Sequence, residues 1–181
     1  MKIELLILDV DGVMTDGTKI YNEEHEVLGK RFLCKDFTAI KRFIAAGIKV
    51  IMLSGDNFNR KMAEKRNIPF YCSRGSDLSL DKSRFIDIFE KEYGISKQKM
   101  AFVGDDYFDL SMFKSLEHTF STADSPAIIK QNSFYVLESF GGTGAIVELY
   151  DHFLSTGWLT DATEDQVAHL DKLEATSKEM G

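Results

Sequence analysis

Cysteine and proline are scarce in this sequence, with two of each among 181 residues. The two cysteines, Cys34 and Cys72, lie far apart and form no CxxC motif, so the sequence favours reduced, buried thiols over a metal or redox site. A chain of this length buries roughly 70% of its unfolded surface in a single core. The protein therefore does not need disulfides in order to fold.

Long apolar runs and basic clusters are also lacking. No segment approaches the ~20 apolar residues of a membrane span, and the first residues do not combine a basic region with an apolar core. We therefore expect a cytoplasmic protein that binds no membrane. The net charge is −7 and no clustered basic face is evident, which disfavours a nucleic-acid surface. Hydrophobic residues make up 44% of the chain and charged residues 28%, as in an ordinary globular domain.

An apolar run at residues 5–8 leads into Asp9 and Asp11, and Gly12 follows. Such a run is typical of a buried parallel strand whose carboxyl end carries charge. An ionised aspartate that is buried without a partner is strongly unfavourable, so this pair requires a cation, hydrogen bonds or a place at the mouth of a cleft. By itself, the Asp-x-Asp-Gly pattern is equally compatible with an acidic turn or a calcium loop.

Further along the chain, short apolar runs alternate with helical patterns, which predicts an α/β fold with a doubly wound parallel sheet. Two β-prone runs at about 18–32 predict a hairpin above the first strand, placed to act as a flap or an oligomer contact. We predict Asp36 as the N-cap of the next helix and Lys82 in the first turn of a helix at 78–93. The other strands are predicted at 49–53, 69–73, 100–104, 118–122 and 134–137, with a turn at 74–76 and further helices ending near 47, 67 and 154.

The composition changes after residue 154, where the chain becomes acidic and polar. Only Val167, Leu170 and Leu173 keep helical spacing there, which is enough for one marginal helix. We expect residues 1–154 to form the domain and residues 155–181 to form an appendage that frays or docks on a neighbouring subunit.

Three of the predicted strand ends carry polar residues, namely Asp9 with Asp11, then Ser54, then Asp105. Because the carboxyl ends of parallel strands converge on one crevice, these side chains should meet, and Lys82 should enter from the helix between the last two strands. A dense group of carboxylates requires a hard cation at neutral pH, and oxygen ligands together with a substrate phosphate suit Mg²⁺. The sequence therefore predicts a site for magnesium and a phosphate group.

Four motifs follow one another along the chain, namely Asp9-Val10-Asp11-Gly12-Val13-Met14-Thr15-Asp16, Ser54-Gly55, Lys82 and Gly104-Asp105-Asp106-Tyr107-Phe108-Asp109. In this order they resemble the motifs of the haloacid dehalogenase superfamily of phosphotransferases. Three further cues are Thr15-Asp16-Gly17, Asp81-Lys82 and Gly141-Gly142-Thr143-Gly144-Ala145. With these cues the chain resembles the small, cap-less 3-deoxy-D-manno-octulosonate 8-phosphate phosphatases and the related nonulosonate 9-phosphate phosphatases, and the resemblance covers roughly residues 3–154.

The resemblance implies phosphatase chemistry and a role for each motif residue. Asp9 would be the nucleophile that forms an aspartyl phosphate, and Asp11 would be the general acid and then the general base. The residues implied to bind the phosphoryl oxygens are Ser54, Gly55 and Lys82.

The same resemblance implies how Mg²⁺ is held. Asp9, Asp105 and the backbone carbonyl of Asp11 would be its ligands. Asp106 and Asp109 would tune the ion, directly or through the ligands.

The implied substrate is a phosphorylated 2-keto-3-deoxy sugar acid, and the implied assembly is a homotetramer, because only a partner subunit could close a site that has no cap domain. Charged residues beside the hairpin or after the second strand are candidate contacts to the sugar acid, although most suit a solvated face equally well. These candidates are Lys30, Lys35, Asp56, Arg60, Lys61 and Lys65.

Two stretches depart from the family pattern. Residues 37–39 are Phe-Thr-Ala where the family usually has small, glycine-rich residues, and Val147-Glu148 stands where it usually has an arginine. These departures, together with the added tail, suit an alternative function, that of a catalytically idle or promiscuous member acting as an assembly module beside a sugar-activating enzyme. A phosphosugar mutase is disfavoured because it normally needs a mobile cap to exclude water. The intact acid cluster favours the phosphatase.

Overall fold

The computed structural model describes residues 2–74 and 81–179, with side chains as far as residue 173. The described strands are β1 (Leu5–Leu8), β2 (Ile20–Tyr21), β3 (Val27–Gly29), β4 (Lys49–Ser54), β5 (Phe70–Cys72), β6 (Met100–Gly104), β7 (His118–Ser121) and β8 (Tyr135–Val136). The described α-helices are α1 (Cys34–Ala45), α2 (Arg60–Glu64), α3 (Arg84–Tyr93), α4 (Leu110–Ser115), α5 (Ala127–Asn132), α6 (Ala145–Ser155) and α7 (Glu164–Glu179).

Six of the strands form one parallel sheet in the order β5-β4-β1-β6-β7-β8. The chain winds outward from β1 through β4 to β5, then returns to the other side of β1 with β6. The predicted doubly wound parallel sheet is confirmed. In such sheets the crevice lies at the carboxyl ends of the strands where the winding direction changes, which here are the ends of β1, β4 and β6.

β1 is buried on both faces of the sheet, which explains its continuously apolar sequence. Leu6 and Leu8 belong to the core that the sheet forms with α1 and α6, whereas Leu5 and Ile7 belong to the core formed with α3, α4 and α5. All four side chains are fully buried, and burial of each contributes roughly 1.5–3 kcal/mol. This packing fixes the strand that leads into Asp9.

The hairpin is present as predicted, as an antiparallel pair of β2 and β3 that lies apart from the main sheet. Its strands are shorter than the β-prone runs at 18–32, because only two and three residues pair. Ile20, Tyr21 and Leu28 are exposed on it.

The prediction that Asp36 is the N-cap of α1 is wrong. The helix begins at Cys34, so Asp36 lies in its first turn, where it is fully buried. Its Oδ1 accepts the backbone N–H groups of Ile146 and Val147 at 3.1 and 3.3 Å. Asp36 therefore caps the N-terminus of α6 and joins the two helices on this face of the sheet.

The predicted helix boundaries also change at two places. Residues 81–83 are not helical and α3 begins at Arg84, so Lys82 precedes the helix. The predicted helix start at 78 and most of the turn at 74–76 lie outside the described residues. The helix that was expected to end near residue 67 is the short α2, which follows a 3₁₀ turn at Asn57–Asn59.

The segment after α6 lies against its own chain. The rings of Trp158 and Phe153 have centroids 5.1 Å apart, and Arg42 of α1 forms ion pairs of 2.8 and 3.1 Å with Asp161 and Glu164. The domain boundary at residue 154 and docking of the tail on a neighbouring subunit stay predictions. Every helix in the described part of the chain is too short or too polar to cross a bilayer.

Candidate active site

A pocket of about 220 Å³ opens at the carboxyl ends of β1, β4 and β6. The structure thus brings together side chains that are far apart in the sequence. The lining residues are Asp9, Asp11, Gly12, Gly17, Lys19, Ser54, Gly55, Asp56, Ser73, Arg74, Lys82, Asp105, Asp106 and Phe108.

Asp9 directly follows β1 and is 6% exposed. Its Oδ1 accepts the N–H of Val10 at 2.8 Å, and its Oδ2 lies 3.0 Å from Nζ of Lys82. Burial and the charge of Asp109 raise the pKa of Asp9 to about 7, against the lowering effect of Lys82. Asp9 is therefore a poorly solvated carboxylate held at the pocket, which suits a nucleophile.

Asp105 completes a three-carboxylate group with Asp9 and Asp109, in which one oxygen from each residue lies within 4.8 Å of the others. Oδ1 of Asp105 is buried and has no hydrogen-bond partner in the described part of the chain. Burial and repulsion from Asp9, Asp109 and Asp106 raise the pKa of Asp105 to about 9. A divalent cation among these oxygens would supply the missing partner and remove the repulsion, so the residues fit Mg²⁺.

Lys82 lies between two of these carboxylates and is 3% exposed. Besides Asp9, its Nζ contacts Oδ1 of Asp109 at 2.6 Å. Burial lowers the pKa of Lys82, but the charges of Asp9 and Asp109 outweigh burial and raise it, so the side chain stays an ammonium. Oδ2 of Asp109 accepts the N–H groups of Asp105 and Asp106 at 3.0 and 3.2 Å. Because both of its oxygens are engaged, Asp109 acts on the site through Lys82 and the loop.

Gly12 allows the loops after β1 and β6 to approach each other. Its φ of +82° is left-handed, and a Cβ atom at this position would lie 2.0 Å from Oδ2 of Asp105. Thr15 closes the same turn, because its Oγ1 accepts the N–H groups of Gly12 and Gly17 at 3.4 and 3.2 Å. The Asp-x-Asp-Gly pattern, which by itself was equally compatible with an acidic turn or a calcium loop, thus forms part of the pocket wall.

Ser54 ends β4 and is 1% exposed. Its Oγ accepts the backbone N–H of Asp56 and Nδ2 of Asn59, both at 3.1 Å. Neither contact uses the hydroxyl proton, which is left for an acceptor in the pocket. Gly55 follows, and a Cβ atom there would lie only 3.0 Å from Nε of Arg74. A hydroxyl donor in the same pocket as the Lys82 ammonium suits a bound phosphoryl group.

Asp11 is held apart from the three-carboxylate group. Its Oδ1 accepts a hydrogen bond from Nζ of Lys30 at 2.6 Å, and its Oδ2 accepts one from Nδ2 of Asn59 at 2.9 Å. The position of its carboxylate suits proton transfer, and metal binding through its backbone carbonyl stays a prediction. The sequence does not predict this role of Asn59, because a single asparagine in the loop after β4 belongs to no pattern that shows the direction of its side chain.

Asp56 is the predicted substrate contact that lines the pocket. Burial raises its pKa, but hydrogen bonds from Lys19 and Lys30 at 2.7 and 2.8 Å outweigh burial and keep the pKa well below its usual range. Asp56 is therefore an anion that ties the hairpin to the loop after β4.

The other predicted substrate contacts do not line this pocket. Lys35 borders a separate cavity with Ser139 and Glu148. The Arg60 guanidinium lies 4.9 Å from the ring centroid of Phe70. Lys61 and Lys65 are exposed at α2. Sequence reasoning instead misses Lys19 and Arg74, which have no motif of their own.

Known phosphatases resemble this chain in sequence. The family model of haloacid dehalogenase-like hydrolases matches residues 76–147. The 3-deoxy-D-manno-octulosonate 8-phosphate phosphatase of Haemophilus influenzae is 34% identical over 161 residues, which span 84% of this chain and 83% of that protein. The phosphatase of the same name from Salmonella typhi is 30% identical and covers 91% of this chain and 86% of its own.

Solved structures agree as well. The cobalt-bound form of the deoxy-D-mannose-octulosonate 8-phosphate phosphatase of Haemophilus influenzae matches with a TM-score of 0.76 at 32% identity, covering 85% of this chain and 88% of that chain. Shared sequence over most of both chains and a shared fold lead to one conclusion. The chain belongs to the haloacid dehalogenase-like hydrolases, in the group of the 3-deoxy-D-manno-octulosonate 8-phosphate phosphatases.

Proposed function

We propose that this protein is a magnesium-dependent phosphatase. Its substrate would be the terminal phosphate monoester of a 2-keto-3-deoxy sugar acid, of the octulosonate 8-phosphate or nonulosonate 9-phosphate type, hydrolysed through an aspartyl phosphate. The convergence of Asp9, Lys82 and Asp105 in one pocket carries the proposal. The names of the relatives, which are phosphatases of 3-deoxy-D-manno-octulosonate 8-phosphate, support the substrate class.

In the first proposed step, a carboxylate oxygen of Asp9 attacks phosphorus in line. The new bond joins Asp9 to phosphorus, while the bond from phosphorus to the sugar oxygen breaks. Lys82 and the hydroxyl of Ser54 bind the other phosphoryl oxygens, where negative charge accumulates. Asp11 gives its proton to the departing oxygen, so the sugar acid leaves as an alcohol.

In the second step, water attacks the phosphorus of the aspartyl phosphate. Asp11, now a carboxylate, takes a proton from the water, and the bond between Asp9 and phosphorus breaks to release inorganic phosphate. Both aspartates return to their starting states. One residue can serve as acid and base because the leaving oxygen and the attacking water occupy the same in-line position.

Magnesium would be held by Asp9, Asp105 and the backbone carbonyl of Asp11, with Asp106 and Asp109 close by. When bound, the ion neutralises charge, so that an anionic nucleophile can approach an anionic phosphate. The raised pKa values of Asp9 and Asp105 support this assignment, because burial and then repulsion from neighbouring carboxylates raise both, and a cation at this place would favour the ionised forms.

The two departures from the family pattern lie outside the catalytic pocket of the single chain. Phe37 packs on Phe32 and under the guanidinium of Arg66, 3.8 Å from its ring centroid. The carboxylate of Glu148 accepts the N–H groups of Glu138 and Ser139, both at 2.7 Å. Because these contacts lie outside the pocket, they support an unchanged catalytic mechanism. Substrate choice is the property that we expect the departures to affect.

The homotetramer is part of the proposal, and the exposed apolar hairpin supports it. Ile20, Tyr21 and Leu28 are 56%, 47% and 63% exposed, and apolar groups clustered in this way are typical of a surface that a partner covers. The cytoplasmic location stays a prediction.

The test is phosphate release by the full chain with Mg²⁺ and after chelation. The panel should contain octulosonate 8-phosphate, nonulosonate 9-phosphates and simple hexose phosphates. We expect magnesium-dependent turnover that is selective for one keto-deoxy acid. In Asp9→Asn the amide cannot attack phosphorus, so turnover should fall by about 10³-fold or more. The fold should survive, which circular dichroism would check.

Three other outcomes are informative. Uniformly slow turnover of all esters would keep the mechanism and discard the substrate class. Unchanged phosphate release by Asp9→Asn would refute the mechanism. Absence of turnover on the whole panel, together with a specific protein partner, would favour the assembly module.

A further inference from the structure

Lys30 is a fully buried cation next to the predicted acid. Its side chain has no exposed surface, and its Nζ contacts Oδ1 of Asp11 at 2.6 Å, Oδ2 of Asp56 at 2.8 Å and Oδ1 of Asn59 at 3.1 Å. An ammonium has three protons, so these three acceptors use all of them. Three hydrogen bonds therefore fix the position of the ammonium.

Asn59 is the second group that holds Asp11. It is 1% exposed, and its Nδ2 donates to Oδ2 of Asp11 at 2.9 Å and to Oγ of Ser54 at 3.1 Å. Because its Oδ1 faces the ammonium of Lys30, the amide has only one workable orientation. A flipped amide would turn its NH₂ group toward an ammonium and its oxygen toward a carboxylate.

Each oxygen of Asp11 is thus bound by a different part of the chain. Lys30 comes from the end of the hairpin and Asn59 from the 3₁₀ turn before α2. Two fixed donors prevent rotation of the carboxylate about its last side-chain bond. Each carboxylate oxygen has two acceptor positions, so one on each oxygen stays open for the proton exchanged with the substrate.

We propose that Lys30 and Asn59 are positioning residues, which hold the carboxyl group of Asp11 in the orientation from which it protonates the leaving oxygen. This inference rests on the proposed phosphatase function. It assigns a catalytic effect to the hairpin of the same chain, in addition to any contact the hairpin makes with another subunit.

A purely structural role is the main competitor, since Lys30 also ties the hairpin to Asp56. Lys19 provides the matched control, because it comes from the same hairpin and contacts the same Oδ2 of Asp56 at 2.7 Å. No hydrogen bond between Lys19 and Asp11 is seen among the described residues. Lys19→Met therefore weakens the tether and leaves the two donors to Asp11 in place.

The experiment compares kcat/KM for phenyl phosphate and p-nitrophenyl phosphate, measured with the full chain and Mg²⁺. The two esters have similar size and no sugar, but nitrophenolate leaves without a proton whereas phenolate needs one. kcat/KM covers the steps up to departure of this group. In Lys30→Met we expect the loss on phenyl phosphate to exceed the loss on p-nitrophenyl phosphate by roughly tenfold or more, since general acid catalysis contributes on the order of 10²–10⁴.

Asn59→Leu should show the same selective loss, and it serves as the second variant if Lys30→Met folds poorly. Lys19→Met should reduce kcat/KM for both esters by equal factors. In the Asp11→Asn background, Lys30→Met should add no selective loss, because the group that it positions is already missing. This non-additivity is a result that a structural role does not produce.

Equal losses on the two esters in Lys30→Met and Asn59→Leu would overturn the inference. So would a selective loss that persists unchanged in the Asp11→Asn background. If the unsubstituted protein hydrolyses neither ester and no sugar-acid phosphate, the proposed function itself fails, and that result is distinct from both.

Discussion

Asp105 and Asp36 are two aspartates, each with one buried carboxylate oxygen that lacks a hydrogen-bond partner in the described part of the chain. Burial is the main cause that raises the pKa of both, to about 9 for Asp105 and about 6 for Asp36. Their surroundings differ. Asp105 lines an open pocket beside two further carboxylates, whereas Asp36 is enclosed between α1 and α6, where it accepts two backbone N–H groups.

The comparison shows that an unpartnered buried oxygen does not by itself identify a cation site. Several ligands must converge, and an opening must admit the ion and its substrate. Asp36 meets neither condition and stabilises a helix N-terminus instead. Substitutions that disturb Asp105 should therefore change activity, whereas substitutions of Asp36 should change stability.

Among the substitutions that test this comparison, Gly12→Ala beside Asp105 should have the largest effect. Its Cβ atom would lie 2.0 Å from Oδ2 of Asp105, so the carboxylate must move out of the three-carboxylate group. We expect turnover to fall by about 10²-fold or more, because displacements of the order of 1 Å in a catalytic site have effects of this size. The Mg²⁺ concentration required for half-maximal activity should rise as well.

Gly47→Ala is the matched control for Gly12→Ala. Gly47 has a similar φ of +88°, but nothing lies within 4 Å of its added Cβ atom. Both variants bear the left-handed strain of about 1–2 kcal/mol, and only Gly12→Ala disturbs Asp105. Equal activity losses in the two would contradict the role given to Gly12.

A smaller effect, confined to stability, is expected for Asp36→Ala. It removes the acceptor of two backbone N–H groups, which should lower the free energy of unfolding by about 2 kcal/mol. kcat should stay close to that of the unsubstituted protein. Chemical denaturation at about pH 4, where the contribution of Asp36 is largest, together with the phosphate-release assay at neutral pH, would check both.

Asp36→Asn sharpens the same comparison through pH. In the folded protein the pKa of Asp36 is about 6, against 3.8 for an ordinary aspartate. The unfolded chain therefore loses its proton first, and the contribution of Asp36 to stability falls as pH rises from about 4 to 6. The amide that replaces the carboxyl group keeps an oxygen acceptor without a charge, so this part of the pH dependence should disappear. A pH profile of unfolding that is unchanged in the variant would disprove the assignment.

The smallest effect is expected at His118, a buried titratable group in neither region. It is 2% exposed, its ring lies 5.0 Å from that of Trp158, and burial lowers its pKa below the usual 6.5. The fold prefers the neutral imidazole, so stability should be lost as pH falls below about 6.5. In His118→Phe the denaturation midpoint should depend less on pH over that range, and turnover should not change. A midpoint equally sensitive to acid in the variant would point to other groups.

Local pattern was sufficient for much of the fold. The apolar run before Asp9 was predicted as a buried parallel strand and forms β1, and residues 100–104 form β6 as expected. Where the sequence prediction was wrong, the cause was tertiary. Asp36 was expected to cap its own helix because N-caps are recognised from adjacent residues, but it accepts the N–H groups of a helix about 110 residues away.

In the candidate site, too, some features follow from local sequence and others from tertiary contacts. The sequence by itself determined that Asp9, Ser54 and Asp105 stand at strand ends and that Lys82 stands near the start of a helix, because a residue's distance from the end of an element is a local property. Only the tertiary structure decided that Lys30 and Asn59 hold the two oxygens of Asp11. The reason is physical, since the direction of a side chain in a loop depends on contacts between segments that are distant in the sequence.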